Sequence, residues 1–302
     1  NAPTSPDLIV NGDFTDGVDQ VLNGEFTTDL ANWNNKSATS TWVSGSAVVD
    51  NSIGNVASGL YQDIGLVSGK SYKLTATLKL NSGDSNGRFR VFTSTDGGSS
   101  QSVLFTGSDL IIGGASVTET FYFTHSGTNV SIQFACDALN AIFEVDNVSC
   151  EELGADWTVT NADATHYVEF IETGARFVLA STSPLVELKQ TTFQLLANKS
   201  YKLTVDMTHV SGSVKVDGGG LSELFDATTS GTNNTRYITP TSNTYLSFYR
   251  QSTPTDITFH SVTVQEVDWA FGGGWSLGSN KALATAAVGG DTLSQAGVFT
   301  LD

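Results

Sequence analysis

The feature that most constrains this chain is an internal repeat of long period, because a repeat implies that one structural unit is built more than once. The run Lys-Ser-Tyr-Lys-Leu-Thr occupies residues 70–75 and recurs at residues 199–204, an offset of 129 (199 − 70). The same two landmarks, a tryptophan and then a glutamine, precede each copy: Trp33 and Gln62, then Trp157 and Gln190. The chain is therefore expected to contain two homologous modules.

A third copy begins near the end of the sequence. Trp275, the apolar run 282–284 and Gln295 repeat the tryptophan, strand and glutamine landmarks, and the chain stops at Asp302. A module interrupted after its first strands would expose unpaired apolar edges. We therefore expect residues 268–302 to start a third, incomplete module that continues beyond Asp302. The alternative is a closing segment that pairs with another subunit.

Alternation with a period of two predicts the fold class. In residues 71–80 every even position is apolar or Tyr, and every odd position is polar. This pattern is typical of a strand with one buried and one wet face. Turn signals such as Asp96-Gly97-Gly98 separate several such runs. We predict an all-β protein of tandem antiparallel β-sandwich (jelly-roll) modules.

The repeat and the turn signals also give domain boundaries. We expect an N-terminal arm or linker over residues 1–20, a first module over 21–152, a second over 153–267 and the third-module segment over 268–302. Each module is expected to close on a β-hairpin, over residues 130–148 in the first and 244–264 in the second.

Composition limits the partners. Lys and Arg total 14 against 31 Asp and Glu, a net charge of −17, so the chain should repel nucleic-acid phosphates. No apolar run approaches the roughly 18 residues that a membrane span needs. The chain contains a single Met and 5 Pro. Together with abundant Thr, Ser, Gly and Asn, this favours an extracellular or particle-borne β protein with no membrane insertion.

The two cysteines are expected to be free thiols. If residues 130–148 form a hairpin that turns near Leu139, Cys136 faces about Phe143. Cys150 then lies about 23 Å further along the strand at about 3.3 Å per residue. A disulfide needs Cα atoms within about 7 Å.

Ordered motifs in the first module carry a family resemblance. They are Asn-Gly-Glu-Phe at 23–26, Leu-Ala-Asn-Trp at 30–33, Leu-Tyr-Gln at 60–62, Gly-Lys-Ser-Tyr at 69–72 and Val-Asp-Asn-Val-Ser at 145–149. In this order they resemble the carbohydrate-binding modules of family 4/9, which have a galactose-binding-like jelly roll. The resemblance implies two packed antiparallel sheets with an open groove.

The resemblance weakens along the chain. The second module keeps Trp157, Gln190 and the strand at 199–204, but we find no Asn-Gly-Glu-Phe opening there, and His260-Ser261 stands where the first module has Asp146-Asn147. The third copy is similar to degenerate modules of phage tail, fibre and head-decoration proteins. The fold hosts many functions, so function does not follow from it.

Six residues are candidates for carbohydrate contact. Sugars present C–H faces and hydroxyl rims, which aromatic rings and polar groups recognise. The candidates are Trp42, Arg88, Arg90, Phe92, Tyr249 and Arg250. For Arg88 and Arg90, which share a strand face with Phe92, the alternative is pairing with nearby carboxylates.

The acidic opening of the first module suggests structural calcium, which binds six to eight oxygens. The resembled family often holds calcium between its opening and closing strands, and Glu25 and Asp146 occupy those landmarks here. We find no counterpart to either residue in the second module, so at most one site is expected. A solvated acidic loop is the alternative, and no other cofactor is expected.

No catalytic centre is expected. Gly274-Trp275-Ser276-Leu277-Gly278 matches the spelling G-x-S-x-G, but no histidine follows it, as that hydrolase order requires. The four histidines are too scattered for zinc spacing.

These observations favour a non-catalytic structural or adhesive protein on the exterior of a virion, such as a phage fibre, tail or head decoration. Its expected partners are other virion or surface subunits in a homo-oligomer, with polysaccharide as a further partner. The alternative is a secreted pair of glycan-binding modules attached to a polysaccharide-active enzyme.

Overall fold

The structure, a computed structural model, describes residues 4–15, 17–52, 57–95, 101–181 and 183–267, and the short stretches 269–271, 275–278, 281–284, 288–289 and 293–295. Within these residues the regular secondary structure is β-strand apart from one 3-10 helix, Ala227–Thr229. The sheets are antiparallel, as the alternation predicts. No helix among the described residues is long and apolar enough to cross a membrane.

The chain divides into two compact units. In the sequence, the residues of one unit interrupt those of the other. The first module comprises residues 17–153, whereas the second comprises residues 1–16 and 154–302. The expectation of an N-terminal arm or linker over residues 1–20 is therefore wrong. Residues 1–16 belong to the second module, and residues 17–20 belong to the first. The sequence prediction assumed that modules follow one another along the chain.

The first module is a sandwich of two five-stranded antiparallel sheets. Its strands, which follow β1 (Thr4–Asp7) of the second module, are β2 (Asn34–Lys36), β3 (Thr39–Val43), β4 (Ser46–Asp50), β5 (Gly59–Asp63), β6 (Ser71–Ser82), β7 (Gly87–Ser94), β8 (Ser102–Leu110), β9 (Val117–Thr124), β10 (Ser131–Cys136) and β11 (Ile142–Glu152). The front sheet has the order β2-β5-β10-β7-β8 and the back sheet β3-β4-β11-β6-β9.

The second module repeats this architecture with fewer, longer strands. They are β12 (Trp157–Thr160), β13 (His166–Ile171), β14 (Gly174–Leu179), β15 (Glu187–Gln190), β16 (Tyr201–Gly218), β17 (Leu221–Phe225), β18 (Gly231–Ile238) and β19 (Ser247–Val267). Its front layer runs β12-β15-β19-β16-β17 and its back layer β13-β14-β19-β16-β18, the same orders as in the first module. Strand β1 adds to the back layer by pairing with β19.

Strands β16 and β19 pass through both layers of the second module. They approach closely at Gly212, which has φ +75°, and a Cβ built there would lie 2.4 Å from the Pro254 carbonyl oxygen. Only glycine fits such a conformation and approach. Neither predicted closing hairpin exists: β10 and β11 lie in different sheets, and residues 247–264 of the second prediction fall within the single strand β19.

Each module has its own copy of the same opening motif. The sequence prediction missed the copy that belongs to the second module. Asn11-Gly12-Asp13-Phe14 stands there where the first module has Asn23-Gly24-Glu25-Phe26. The indole Nε1 of Trp33 donates to the carbonyl of Asn23 at 3.1 Å, and that of Trp157 donates to the carbonyl of Asn11 at 2.9 Å. The opening of the second module therefore precedes the whole first module in the chain.

Each opening also packs closely against the final strand of its own module. A Cβ on Gly24 would lie 1.8 Å from the Val148 carbonyl oxygen, and one on Gly12 would lie 2.2 Å from that of Val262. Both phenylalanines adopt positive φ, 65° at Phe14 and 44° at Phe26. This backbone is costly for a bulky residue, so tertiary packing must hold it in place.

The core of the first module confirms the alternation read from residues 71–80. Leu74 and Leu78 are fully buried, and Trp33 joins the same cluster at 8% exposed. Burying each large apolar side chain contributes about 1.5–3 kcal/mol. Cys136 and Cys150 lie in this core as free thiols, as expected, although the hairpin geometry used to predict this was wrong.

The predicted start of a third module falls largely outside the described residues. The described stretches form two small antiparallel pairs, β20 (Trp269–Phe271) with β23 (Leu293–Gln295), and β21 (Trp275–Gly278) with β22 (Lys281–Ala284). The incomplete third module therefore stays a prediction.

Candidate functional site

The outer face of the front sheet in the first module carries three of the predicted site residues. Arg88, Arg90 and Phe92 alternate along β7 with Phe89 and Val91, which belong to the core. The three therefore point to the opposite face, as the sequence suggested. Arg88 is exposed, whereas Phe92 is only 7% exposed.

Both arginines on this face lie beside the same carboxylate, that of Asp137. Asp137 Oδ2 lies 3.1 Å from Arg88 Nε and 3.7 Å from Arg90 Nε. Arg90 also donates to the Thr106 hydroxyl at 2.7 Å. This matches the alternative reading, in which the arginines pair with carboxylates rather than with a ligand.

The centre of the same face is also occupied by the chain's own groups. Gln133 on β10 is fully buried, although Phe134 beside it is the residue that points into the core. Its side chain donates to the Ala57 carbonyl at 2.6 Å and accepts a short hydrogen bond from Gln101. The side chains of Gln133 and Gln101 thus bond within the module.

Trp42 lies apart from these residues. It is on β3, at the edge of the back sheet, and its indole Nε1 donates to the Phe26 carbonyl at 2.5 Å. The ring remains 41% exposed. The structure therefore does not bring Trp42 together with Arg88, Arg90 and Phe92 into one site.

The corresponding face of the second module is built differently and centres on Tyr249. Tyr249 on β19 lies opposite Glu187 on β15, and its hydroxyl donates to Glu187 Oε1 at 2.7 Å. The Thr160 hydroxyl on β12 donates to the other oxygen, Oε2, at 3.1 Å. Three strands thus present one hydrogen-bonded group on the outer surface of the front layer.

Ionisation in this group is shifted in a way that favours a neutral phenol beside a carboxylate. Burial, the hydrogen bond to Glu187 and its negative charge raise the pKa of Tyr249 to about 12. Burial of Glu187 opposes its ionised form, but hydrogen bonds from Tyr249, Ser247 and Thr160 outweigh it and lower the pKa of Glu187. Glu187 is therefore an ionised acceptor at neutral pH.

Charged and aromatic groups flank Tyr249. The ammonium of Lys189 lies 5.1 Å from the ring centre of Tyr245, which is 37% exposed. The ammonium of Lys215, which is opposite Tyr249, lies 2.6 Å from Asp217 Oδ2. Tyr245, Lys189 and Lys215 therefore extend the same polar and aromatic surface. We call the set Thr160, Glu187, Lys189, Lys215, Asp217, Tyr245 and Tyr249 the Tyr249 face.

Arg250, the other candidate in this module, is not part of that face. It follows Tyr249 along β19 and therefore points to the opposite side, where it is 7% exposed. Its guanidinium donates to the Pro184 carbonyl at 3.3 Å. Arg250 thus has a buried structural contact and does not join Tyr249 on one surface.

Sequence reasoning found Tyr249 but missed most of its neighbours. Glu187 and Lys189 come from a short strand, and Thr160 from another, so no local motif joins them. Their alternation with the buried Leu188 and Gln190 was the available signal. Which strands lie beside β19 could not be read from the sequence.

The structure places no further acidic side chain in a metal-binding cluster with the predicted calcium ligands, Glu25 and Asp146, among the residues it describes. Glu25 is exposed, and Asp146 Oδ1 accepts the Asn147 amide hydrogen at 2.8 Å. In the described part of the chain, no three His, Cys, Asp or Glu side chains cluster so as to hold a metal ion. Asp13 is the counterpart of Glu25 in the second module, which corrects the view that this module has none. These residues alone do not supply the six to eight oxygens that calcium needs.

The chain is an all-β protein with two β-sandwich modules, and the solved structures to which it is similar include carbohydrate-binding modules. The CBM22-1–CBM22-2 tandem domain of Paenibacillus barcinonensis Xyn10C is 9% identical with a TM-score of 0.36, and the match covers 83% of this chain and 98% of that one. A CBM4 structure is 19% identical with a TM-score of 0.35, covering 43% of this chain and 98% of that one.

A third likeness is to part of an enzyme. The CBM22-1–GH10 modules of Clostridium thermocellum endo-1,4-beta-D-xylanase 10B, in complex with xylohexaose, are 18% identical with a TM-score of 0.37. That match covers 45% of this chain and 29% of that one. No protein-family model and no curated protein matches the chain. At these identities and TM-scores the likenesses assign no site residue.

Proposed function

We propose that the protein binds polysaccharide through the Tyr249 face of its second module. The observation that carries this proposal is the pair of tyrosines, Tyr245 and Tyr249, on one outer sheet face beside the ionised Glu187. Aromatic rings pack on the C–H faces of sugars, and carboxylates and ammonium groups bond their hydroxyls. The face offers both kinds of contact within a few strands.

The charges of this face favour a neutral glycan. Lys189 and Lys215 are offset by Glu187 and Asp217, so the face has no net charge to attract an acidic polymer. The whole chain is strongly acidic, with a net charge of −17, and repels polyanions. We therefore expect xylohexaose or cellohexaose to bind and polygalacturonate not to bind.

The first module supplies an internal comparison. The corresponding surface there uses Gln133, Arg88 and Arg90 for contacts within the protein. Glycan binding is therefore assigned to the second module alone. Substitutions on the first-module face should leave affinity unchanged.

Isothermal titration of the full chain with the two hexasaccharides tests the proposal. A Kd of about 0.1–1 mM is expected for a single weak site. Tyr249→Phe removes the hydroxyl that contacts Glu187 and should weaken binding about tenfold, the value of one hydrogen bond. Tyr245→Ala should abolish detectable binding, and Arg88→Ala is the matched control. Equal loss with Arg88→Ala, or no binding to any neutral glycan, would contradict the proposal.

We further propose that this binding serves adhesion on the exterior of a virion. The support is the tandem modules together with the sequence resemblance of the third copy to phage tail, fibre and decoration proteins. Many weak sites on one particle would combine into strong attachment. Immunogold labelling of particles with an antibody against the chain tests this placement. Recovery of this chain as part of a secreted protein that also contains a polysaccharide-active enzyme would instead support the alternative, a secreted pair of glycan-binding modules.

Calcium at Glu25 and Asp146 remains a separate proposal. Backbone carbonyls and water would have to complete the ligand set. Titration with Ca²⁺ tests it through heat and thermal midpoint, and an unchanged midpoint would remove it.

A further inference from the structure

The second module also brings together a serine, a histidine and an aspartate that sequence spacing did not connect. His166 Nε2 lies 2.7 Å from Ser181 Oγ, and His166 Nδ1 lies 2.9 Å from Asp163 Oδ1. These are the nucleophile–base and base–carboxylate distances of an activated serine. The expectation of no catalytic centre considered only Ser276 as a nucleophile and the spacing of the histidines for zinc.

The local fold fixes the three groups. Asp163 lies in the turn before β13, and His166 is the first residue of that strand. Asp163 Oδ1 accepts the backbone amide hydrogens of Thr165 and His166, each at 2.8 Å. Ser181 follows β14, whose last residue, Leu179, pairs with His166. The His166 side chain is 7% exposed, whereas Ser181 is exposed. The base is therefore held in place, and the Ser181 hydroxyl, on an exposed residue, has the Ser183 carbonyl at 3.1 Å as its other partner.

The hydrogen bonds set the tautomer. Asp163 accepts from Nδ1–H, which leaves the Nε2 lone pair facing Ser181. Hydrogen bonds from Thr165 and His166 lower the pKa of Asp163 to about 2, so this carboxylate is ionised and can stabilise an imidazolium. Such a carboxylate orients the ring rather than taking the proton.

We propose that Ser181 is a nucleophile activated by His166 and Asp163, and that it accepts the acyl group of small, unhindered esters. Ser181 Oγ would bond to the ester carbonyl carbon as its proton passes to His166 Nε2. Collapse of the tetrahedral adduct breaks the bond to the alcohol oxygen, which takes the proton from Nε2 and leaves as the alcohol. Water then attacks the acyl-serine by the same route and releases the carboxylic acid.

A second hydrogen bond limits the rate. The backbone amide of Ser181 also donates to His166 Nε2, at 3.0 Å. The amide and the hydroxyl of Ser181 therefore compete for one Nε2 lone pair, which is less available to take the hydroxyl proton. We therefore expect activated reagents to acylate Ser181 and the acyl group to be released slowly from the serine, rather than rapid turnover.

The chain contains a matched control. The Thr208 hydroxyl lies 2.7 Å from His260 Nε2, but His260 Nδ1 faces the Thr173 carbonyl at 2.6 Å. That hydroxyl–imidazole pair has a neutral carbonyl where the Ser181 centre has a carboxylate. A secondary hydroxyl paired in this way should not react.

The test is labelling of the full chain with a fluorophosphonate, followed by peptide mass spectrometry. We expect the adduct on Ser181, with labelling reduced about 100-fold in Ser181→Ala and His166→Gln, and unchanged in Thr208→Ala. A burst of p-nitrophenol from p-nitrophenyl acetate should follow the same order. Thermal midpoints check that each variant is folded. Labelling of the wild-type chain is a test that does not depend on any variant. The proposal would be overturned if no adduct formed, if the adduct lay on another residue, or if folded His166→Gln were labelled as strongly as the wild type.

Discussion

The ring of Phe14 packs against the indole of Trp157 with their centroids 4.9 Å apart, although 143 residues (157 − 14) separate them in the chain. The equivalent rings in the first module, Phe26 and Trp33, lie 5.3 Å apart. The second module is thus completed by a segment that comes before the first module. Its stability should depend on the N-terminal residues.

Phe14→Ala should destabilise the second module selectively. Phe14 is fully buried, and truncation of a buried Phe costs about 3–5 kcal/mol. Hydrogen–deuterium exchange should accelerate in β12 and β19 and stay unchanged in β6 and β11. Phe26→Ala is the matched variant and should give the reverse pattern. Equal acceleration in both modules after Phe14→Ala would contradict the nested arrangement.

Gly12→Ala should cost about 3 kcal/mol, because the new Cβ would be placed 2.2 Å from the Val262 carbonyl oxygen and the opening would have to move. Gly24→Ala should act likewise in the first module. Gly289→Ala, where no atom lies within 4 Å of the built Cβ, is the neutral control. Urea unfolding measures all three. A neutral Gly12→Ala would show that the opening does not approach the final strand so closely.

The Tyr249 phenol should ionise late. Its pKa is raised to about 12 in the folded protein, from an ordinary value near 10, so the neutral form stabilises the fold. This contribution is complete below about pH 10 and is lost as the pH rises towards 12. The difference in ultraviolet absorbance between the protein and Tyr249→Phe reports the titration. Glu187→Gln should lower this pKa, and an unchanged value would show that the Glu187 contact is not formed.

Both thiols should be inert in the folded protein. Burial raises the pKa values of Cys136 and Cys150, which suppresses their thiolates. A thiol reagent should react with neither cysteine under native conditions and with both after unfolding without reductant. Rapid native reaction, or no thiol after unfolding, would contradict the buried free cysteines.

The sequence was sufficient to predict the fold class, because alternation at residues 71–80 and its repeat at 199–204 record burial directly. It was insufficient for connectivity. The motif Asn11-Gly12-Asp13-Phe14 is visible in the chain, but its partner Trp157 lies beyond an entire intervening module. A search restricted to residues next to each tryptophan could not assign it.

The site was predicted less completely for the same physical reason. Tyr249 could be chosen because it is an aromatic residue on an alternating strand. Glu187 and Thr160 become its neighbours only through pairing of β12, β15 and β19. Arg250 was grouped with Tyr249 because the two are adjacent in the chain, although successive strand residues face opposite ways.

Titration of the isotopically labelled full chain with xylohexaose, followed by amide chemical shifts, tests the central claim most directly. The account predicts shifts confined to residues on and beside the Tyr249 face, with those near Gln133 in the first module unchanged. Shifts centred on the front sheet of the first module, or none at millimolar xylohexaose and cellohexaose, would contradict it.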